Sequence, residues 1–534
     1  MSPRLASIAG IDVPGLAAAY GLADLTRSLL VGAAVLLLAL VAVRVSARSG
    51  LPTMLLYLAI GFALGEDGLG LAFDDARLTQ VLGYSALVFI LAEGGLTTSW
   101  PGIRKSVAPA AMLSTVGVLV SVGAVAAAGH LLLDLSWPVA LLVAAILSST
   151  DAAAVFSVLR SVPLPRRLAG LLEAESGFND APVVILVTAL SLRLTDADQL
   201  PWWALLLTAV LELAAGSAIG LAIGWLGGRV VRRLAGGASG LFAIGVLTVV
   251  VLAYAAAASV HASGFIAAYL AALVLGNMGL PHRPAVHGFA EALGTLAQIG
   301  LFVLLGLLAS PSRLPAQIVP AVVIGLVLLV FARPLSVFVS LTPFRIGWRD
   351  QVFLSWAGLR GAVPVVLATV PLTVGAMGTQ WIFDLVVVLV VVYTLVQAPT
   401  LAWVARRLGV VESVSQTSIE VETTPLEELN ADLMSVSIGP ESRLHGVEIF
   451  ELRLPPGAAV TLVVRGSETL VPIPSTRMRR GDQMLIVTTA DVRRQVEKRL
   501  IMVSRHGRLA GWVSDSTGPT GPGHGNSGTR GTVP

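Results

Sequence analysis

Residues 170–192 read GLLEAESGFNDAPVVILVTALSL. The second half is apolar apart from Thr188 and Ser191, while the first half carries Glu175, Ser176, Asn179 and Asp180. A run of about 20 apolar residues crosses ~30 Å of hydrocarbon as a helix. A charged group placed in that hydrocarbon costs at least ~2.5 kcal/mol on insertion scales, so an acid kept there is a functional candidate. The surrounding chain decides whether the stretch is such a span. It has 534 residues, 55% hydrophobic and 13% charged, with a mean hydropathy of +0.84, too few charges to cover a water-facing surface. Apolar runs of about 20 residues recur from Asp24 to Leu408. Backbone polar groups in lipid must be satisfied within each segment, which favours helices. The fold class is therefore an all-α polytopic membrane protein, with a smaller domain behind it.

Division at Pro, Gly and charge clusters gives about thirteen spans, among them span five at 138–159, span six at 170–192, span seven at 202–228 and span twelve at 351–373. Loops after odd-numbered spans carry Arg104 and Lys105, Arg166 and Arg167, and Arg406 and Arg407, whereas those after even-numbered spans carry Asp67, Asp74, Asp75 and Asp134. The positive-inside rule then puts residues 1–24 outside and the C-terminus in the cytoplasm, with residues 25–408 forming the membrane domain of a bacterial inner-membrane protein. No cleavage site precedes the first apolar run, which is expected to remain as a span. The net charge of +3 is small and distributed over alternate loops, so nucleic acid is not an expected partner. The absence of cysteine excludes disulfides, thiolate metal sites and thiol nucleophiles.

After Gly409 charge rises and long apolar runs vanish. Residues 409–426 read as a linker, 427–505 as a small α+β domain with a helix over Asp491–Leu500, and 506–534, rich in Gly, Ser, Thr and Pro, as a disordered tail.

Within the membrane, polar groups gather in three spans: Thr150 and Asp151 in span five, Glu175 to Asp180 in span six, and Arg360 in span twelve. Ser176 and Asp180 are four apart and Ser176 and Asn179 three apart, which places them on one helix face. A carboxylate, a hydroxyl and backbone carbonyls are the hard oxygen donors that a dehydrated alkali cation requires. Glu175 and Arg360, opposite charges at similar depth, are expected to form a structural ion pair. Spans one to six and eight to thirteen fit a 6+6 inverted repeat in which spans five and twelve are equivalent discontinuous helices. Gly361 and Pro364 supply the break in span twelve, while span five has no such residue at its centre.

At these residues the chain resembles NhaP-type monovalent cation/proton antiporters, through Thr150-Asp151, Glu175-Ser176-x-x-Asn179-Asp180 and Gly358-Leu359-Arg360-Gly361. The resemblance implies that Asp180 takes either a proton or a K+ or Na+ ion, with Ser176, Asp151 and the Thr150 backbone completing coordination. It implies Asn179 as organiser, Arg333 as a second membrane arginine, electroneutral exchange and a homodimer. The soluble region is similar to a TrkA-C module, through Leu452 to Gly457, Val463 to Gly466, Val471 to Pro474 and Arg480 to Asp482. Together these favour K+ over Na+, with no cofactor. A cyclic dinucleotide, cation sensing or dimerisation alone remain open for the soluble domain. Two other classes stay in view: a cation channel, which lacks a Thr-Val-Gly-Tyr-Gly filter here, and an intramembrane aspartyl protease built on Asp151 and Asp180 or a serine at Gly237-Ala238-Ser239-Gly240. Glu93 is expected to face a cavity or snorkel, His261 to lie in an outer turn, and Gln298 to serve helix packing; Glu212 is left without a partner.

Overall fold

The computed structural model describes residues 22–71, 73–151, 155, 164–195, 201–234, 239–376, 378–411, 419–426, 431–439, 442–466, 468–489 and 491–507. The expected N-terminal segment before Leu22, most of span five after Asp151, Gly237 and Ala238, and the tail beyond Gly507 lie outside the described residues. The chain divides into two compact units, Met1–Glu412 and Ser413–Pro534.

The first unit is helical. Its helices are α1 (Leu22–Ser49), α2 (Thr53–Leu64), α3 (Ala76–Thr97), α4 (Val107–Leu133), α5 (Trp137–Ile146), α6 (Arg166–Arg193) and α7 (Trp202–Leu234). There follow α8 (Ser239–Ser259), α9 (Gly264–Asn277), α10 (Arg283–Leu308), α11 (Leu314–Phe344), α12 (Trp348–Trp356), α13 (Ala362–Thr373) and α14 (Gln380–Leu408). Among the described residues, 8 helices are long and apolar enough to cross a membrane. The stretch quoted first lies in α6, whose acids set it apart from those eight. Exposed Leu29, Leu30, Leu206, Val210 and Phe331 show where the water-soluble pattern inverts, since large apolar side chains face outward.

Two packing groups organise these helices. In one, α3 lies against α9 and α10, α2 against α10, and α7 against α8 and α9; in the other, α4 packs on α5 and α11, and α6 on α4 and α5. Small residues allow the close approaches. Gly216, Gly220 and Gly224 bring α7 onto the α9 region at Ser263, Ala267 and Ala271, where an added Cβ would overlap the facing backbone. Lipid offers little hydrophobic drive between helices, so such backbone contact supplies the packing energy instead.

The centre of the unit is non-helical. α5 stops at Ile146, inside the expected span 138–159, and α12 stops at Trp356, with Gly361 opening α13. The two irregular stretches cross: Asp151 N donates to Leu359 O at 2.9 Å, and Arg360 Nη1 donates to Ser148 O at 2.6 Å and to Ser149 O. A helix end leaves carbonyls without intrahelical donors. Arg360 takes two of them, which explains how α5 can end without Gly or Pro. Two π-helical turns flank the crossing, Leu113–Gly117 in α4 and Leu328–Ala332 in α11. Such turns concentrate at functional sites.

The second unit is a five-stranded antiparallel sheet in the order β1-β2-β5-β3-β4, formed by β1 (Ile419–Leu426), β2 (Ala431–Ile438), β3 (Ala458–Arg465), β4 (Glu468–Leu470) and β5 (Asp482–Thr489). β1 occupies the stretch expected to be linker, so the sheet starts earlier than the sequence suggested. Its Pro425 is tolerated because β1 is an edge strand. Met434, Val436, Val463, Met484 and Ile486 form a core with Val496, Leu500 and Val503 of α15 (Arg493–His506). Arg465 holds Asp482 with two hydrogen bonds of 2.9 and 2.8 Å, and Arg479 N donates to the same carboxylate at 2.7 Å. Burial pushes the Asp482 pKa up, but the Arg465 and Arg479 hydrogen bonds outweigh it and leave the carboxyl below its ordinary value.

Candidate cation-binding site

α6 carries two carboxylates with different surroundings. Glu175, which is buried, accepts from Arg333 Nη1 at 2.6 Å and Arg333 Nη2 at 2.9 Å. Thr150 Oγ1 adds a third hydrogen bond to Glu175 at 3.2 Å, and Asn179 Nδ2 donates to Thr150 Oγ1 at 2.7 Å. The Glu175 carbonyl accepts from Ser114 Oγ at 3.1 Å. Both π turns thus serve Glu175: Ser114 lies within the first, and Arg333 directly follows the second.

This differs from the expected Glu175–Arg360 pair. Glu175 takes Arg333, because the π turn ends at Ala332 and α11 there packs beside α4, whereas Arg360 sits in the irregular stretch and is drawn to the uncapped carbonyls of Ser148 and Ser149. The structural pairing of a membrane glutamate with an arginine is present, with the other arginine as partner.

Asp180 is 7% exposed, and its Oδ1 accepts from Ser149 Oγ at 2.7 Å. It opens on a cavity of about 280 Å³ that Thr150, Asp151 and Ser176 also line. The four residues expected to share the cation are therefore brought to one cavity. The Asp151 carboxylate lies against Gly361, where any Cβ would collide with it. Asn179 faces Thr150 from α6, tying the helix to the irregular stretch.

Further residues line the same cavity. Glu93, Thr97 and Thr98 come from α3, Glu173 from α6, Tyr269 from α9 and Gln298 from α10. Glu93 faces a cavity, as one of its two expected placements had it, and Gln298 reaches the space that a packing role alone would not require. Glu173, Tyr269 and Ser149 had not been singled out. Ser149 neighbours Thr150 and is polar at the centre of an apolar span, which was its available signal. The Tyr269 ring fills the notch at Gly177, and only the fold shows that contact. Glu212 and His261 line a second cavity of about 720 Å³, where Ser263 N donates to Glu212 O at 3.1 Å.

Crossing irregular backbone beside a buried carboxylate in a bundle of apolar helices defines a secondary transporter. Residues 33–407 match the family model described as sodium/hydrogen exchanger, transmembrane, and residues 433–501 match the TrkA-C domain. The chain belongs to the sodium/hydrogen exchanger family, as a multi-pass NhaP-type cation/proton antiporter that carries a TrkA-C domain. It is 35% identical over 468 residues to the K(+)/H(+) antiporter NhaP2 of Shewanella baltica, spanning 86% of this chain and 80% of the relative. It is 34% identical over 467 residues to the K(+)/H(+) antiporter NhaP of Alkalimonas amylolytica, spanning 86% and 81%. The Na(+)/H(+) antiporter ApNhaP of Aphanothece halophytica is 29% identical over 408 residues, 71% of this chain and 76% of that one. The fold is shared with the sodium proton antiporter MjNhaP1 from Methanocaldococcus jannaschii, at a TM-score of 0.63 and 21% identity, covering 72% of this chain and 99% of that structure. Antiport, rather than channel conduction or proteolysis, is therefore the activity class.

Proposed function

We propose that the protein exchanges one proton for one monovalent alkali cation, K+ in preference to Na+, with Asp180 binding either in turn. The observation that carries this is the contrast within α6: Glu175 is saturated by Arg333 and Thr150, while Asp180 faces the cavity with Ser149 as its hydrogen-bond partner among the described residues. A carboxylate that can hold a proton or a cation, never both, couples the two flows by competition. Thr150, Asp151 and Ser176 complete the oxygen set, and Asn179 stands as organiser beside Asp180 without a charge of its own, which supports electroneutral stoichiometry. The K+ preference is supported by the names of the relatives matched over most of this chain.

The transport cycle moves the bundle of spans five, six, twelve and thirteen against the rest. Its thirteen-span, inverted-repeat organisation is supported by the equivalent places of the two backbone breaks and the two π turns. By the positive-inside rule the N-terminus is outside and the TrkA-C unit cytoplasmic, in a homodimer. That unit is read as the regulatory module, taking a small regulator. In vesicles, Asp180→Asn should abolish cation-dependent proton movement while the protein remains folded. Exchange persisting at the normal rate would remove Asp180 from the role, and rates measured against separate K+ and Na+ gradients decide the cation.

A further inference from the structure

Ser149 is 1% exposed and sits at the crossing of the two irregular stretches. Its carbonyl accepts from Arg360 Nη1, and its hydroxyl donates to Asp180 Oδ1 at 2.7 Å. One residue thus holds the arginine that clamps the crossing and the acid that serves the site. Its neighbours have other uses: the Ser148 hydroxyl donates to Ala145 O at 2.7 Å, closing the end of α5, and the Thr150 hydroxyl is engaged with Glu175 and Asn179. Ser149 is also absent from the lining of the cavity onto which Asp180 opens.

A serine hydroxyl has a single hydrogen, and an ionised carboxylate can only accept it. The bond therefore fixes one Asp180 oxygen to the crossing and leaves the other without a serine donor, on a residue that lines the cavity. An aspartate rotates about two side-chain bonds, and a cation bound by few oxygens gains from having them set in place beforehand. Resting on the reading of Asp180 as the cation site, we infer that Ser149 is a positioning residue that presents the free edge of the Asp180 carboxylate to the entering cation. The crossing, through Arg360 and Ser149, thereby sets the geometry of cation capture as well as the shape of the bundle.

The full-length protein in vesicles tests this with K+ and Na+ each as the varied cation. Ser149→Ala should raise the cation KM about five- to tenfold, as expected for loss of one charge-assisted hydrogen bond, with maximal rate within about twofold. Ser149→Thr, which keeps the hydroxyl, should restore the wild-type KM, and Ser148→Ala should leave it unchanged. If Ser149→Ala does not accumulate, Ser149→Cys carries the same test, because a thiol is a weak donor and should give a raised KM. An unchanged KM, a loss confined to maximal rate, or an equal shift in Ser148→Ala overturns the inference. Exchange surviving Asp180→Asn would sink the reading of Asp180 itself; exchange lost there with KM unmoved in the Ser149 variants sinks only the positioning role.

Discussion

Glu175 and Asp180 lie on the same helix, both buried, and differ in how completely their charge is answered. The Glu175 side receives a bidentate guanidinium and a hydroxyl, and its backbone receives a second hydroxyl. The Asp180 side receives one hydroxyl and a cavity. A buried acid fully matched by permanent partners has nothing left to exchange, whereas one matched in part can take a mobile positive charge. Burial alone therefore does not separate the two acids; the unfinished partner set does, and the proposed transport role of Asp180 rests on it.

Several substitutions can break or sharpen that contrast. The largest effect falls on stability at the saturated acid. Arg333→Gln leaves the Glu175 charge buried without its counterion, at a cost of roughly 3 to 5 kcal/mol. Thermal unfolding in detergent should show it, and Glu175→Gln with Arg333→Gln together should recover most of the loss. If the double variant is as unstable as the single one, the pair is not what stabilises this region. Asp180→Asn should leave the unfolding midpoint close to wild type, because no permanent counterion is orphaned by it.

A smaller effect is expected at the crossing. Arg360→Gln replaces the guanidinium with a neutral amide on a shorter side chain that reaches the two carbonyls less well, so about 1 to 3 kcal/mol should be lost, together with part of the transport rate. A variant as unstable as Arg333→Gln would show that Arg360 also compensates Glu175. The smallest is in the sheet unit, where Arg465→Gln should cost about 1 kcal/mol, since the pair is partly open to solvent. The Asp482 carboxyl is held below its ordinary value, so its contribution is full above the unfolded-state pKa of about 3.9 and is lost as pH falls through the lower folded value. Circular dichroism below about pH 4 should find Arg465→Gln less sensitive to acid than the wild type.

Much of this was legible in the chain. Apolar runs place most helices, and acids within such a run single out Asp180, because hydrocarbon makes ionisable groups conspicuous. The partner of Glu175 was not legible: Arg333 and Arg360 both lie in apolar surroundings, and depth counted from span ends does not say which way either side chain points. The break in α5 was legible through the pairing of span five with span twelve but not from its own residues, since Ile146 to Thr150 contains no Gly or Pro and the stabilising donor comes from Arg360, 211 or 212 positions away. β1 was hidden for a related reason, since Pro425 and its charged neighbours read as linker until an edge position explains them.

The Glu175–Arg333 pair joins residues 158 positions apart. During synthesis at about 5 to 20 residues per second, the glutamate therefore precedes its arginine by roughly 8 to 30 seconds. Over that interval α6 has been made and its permanent counterion has not. The arrival of α11 is then the event that commits the two halves of the membrane unit to each other.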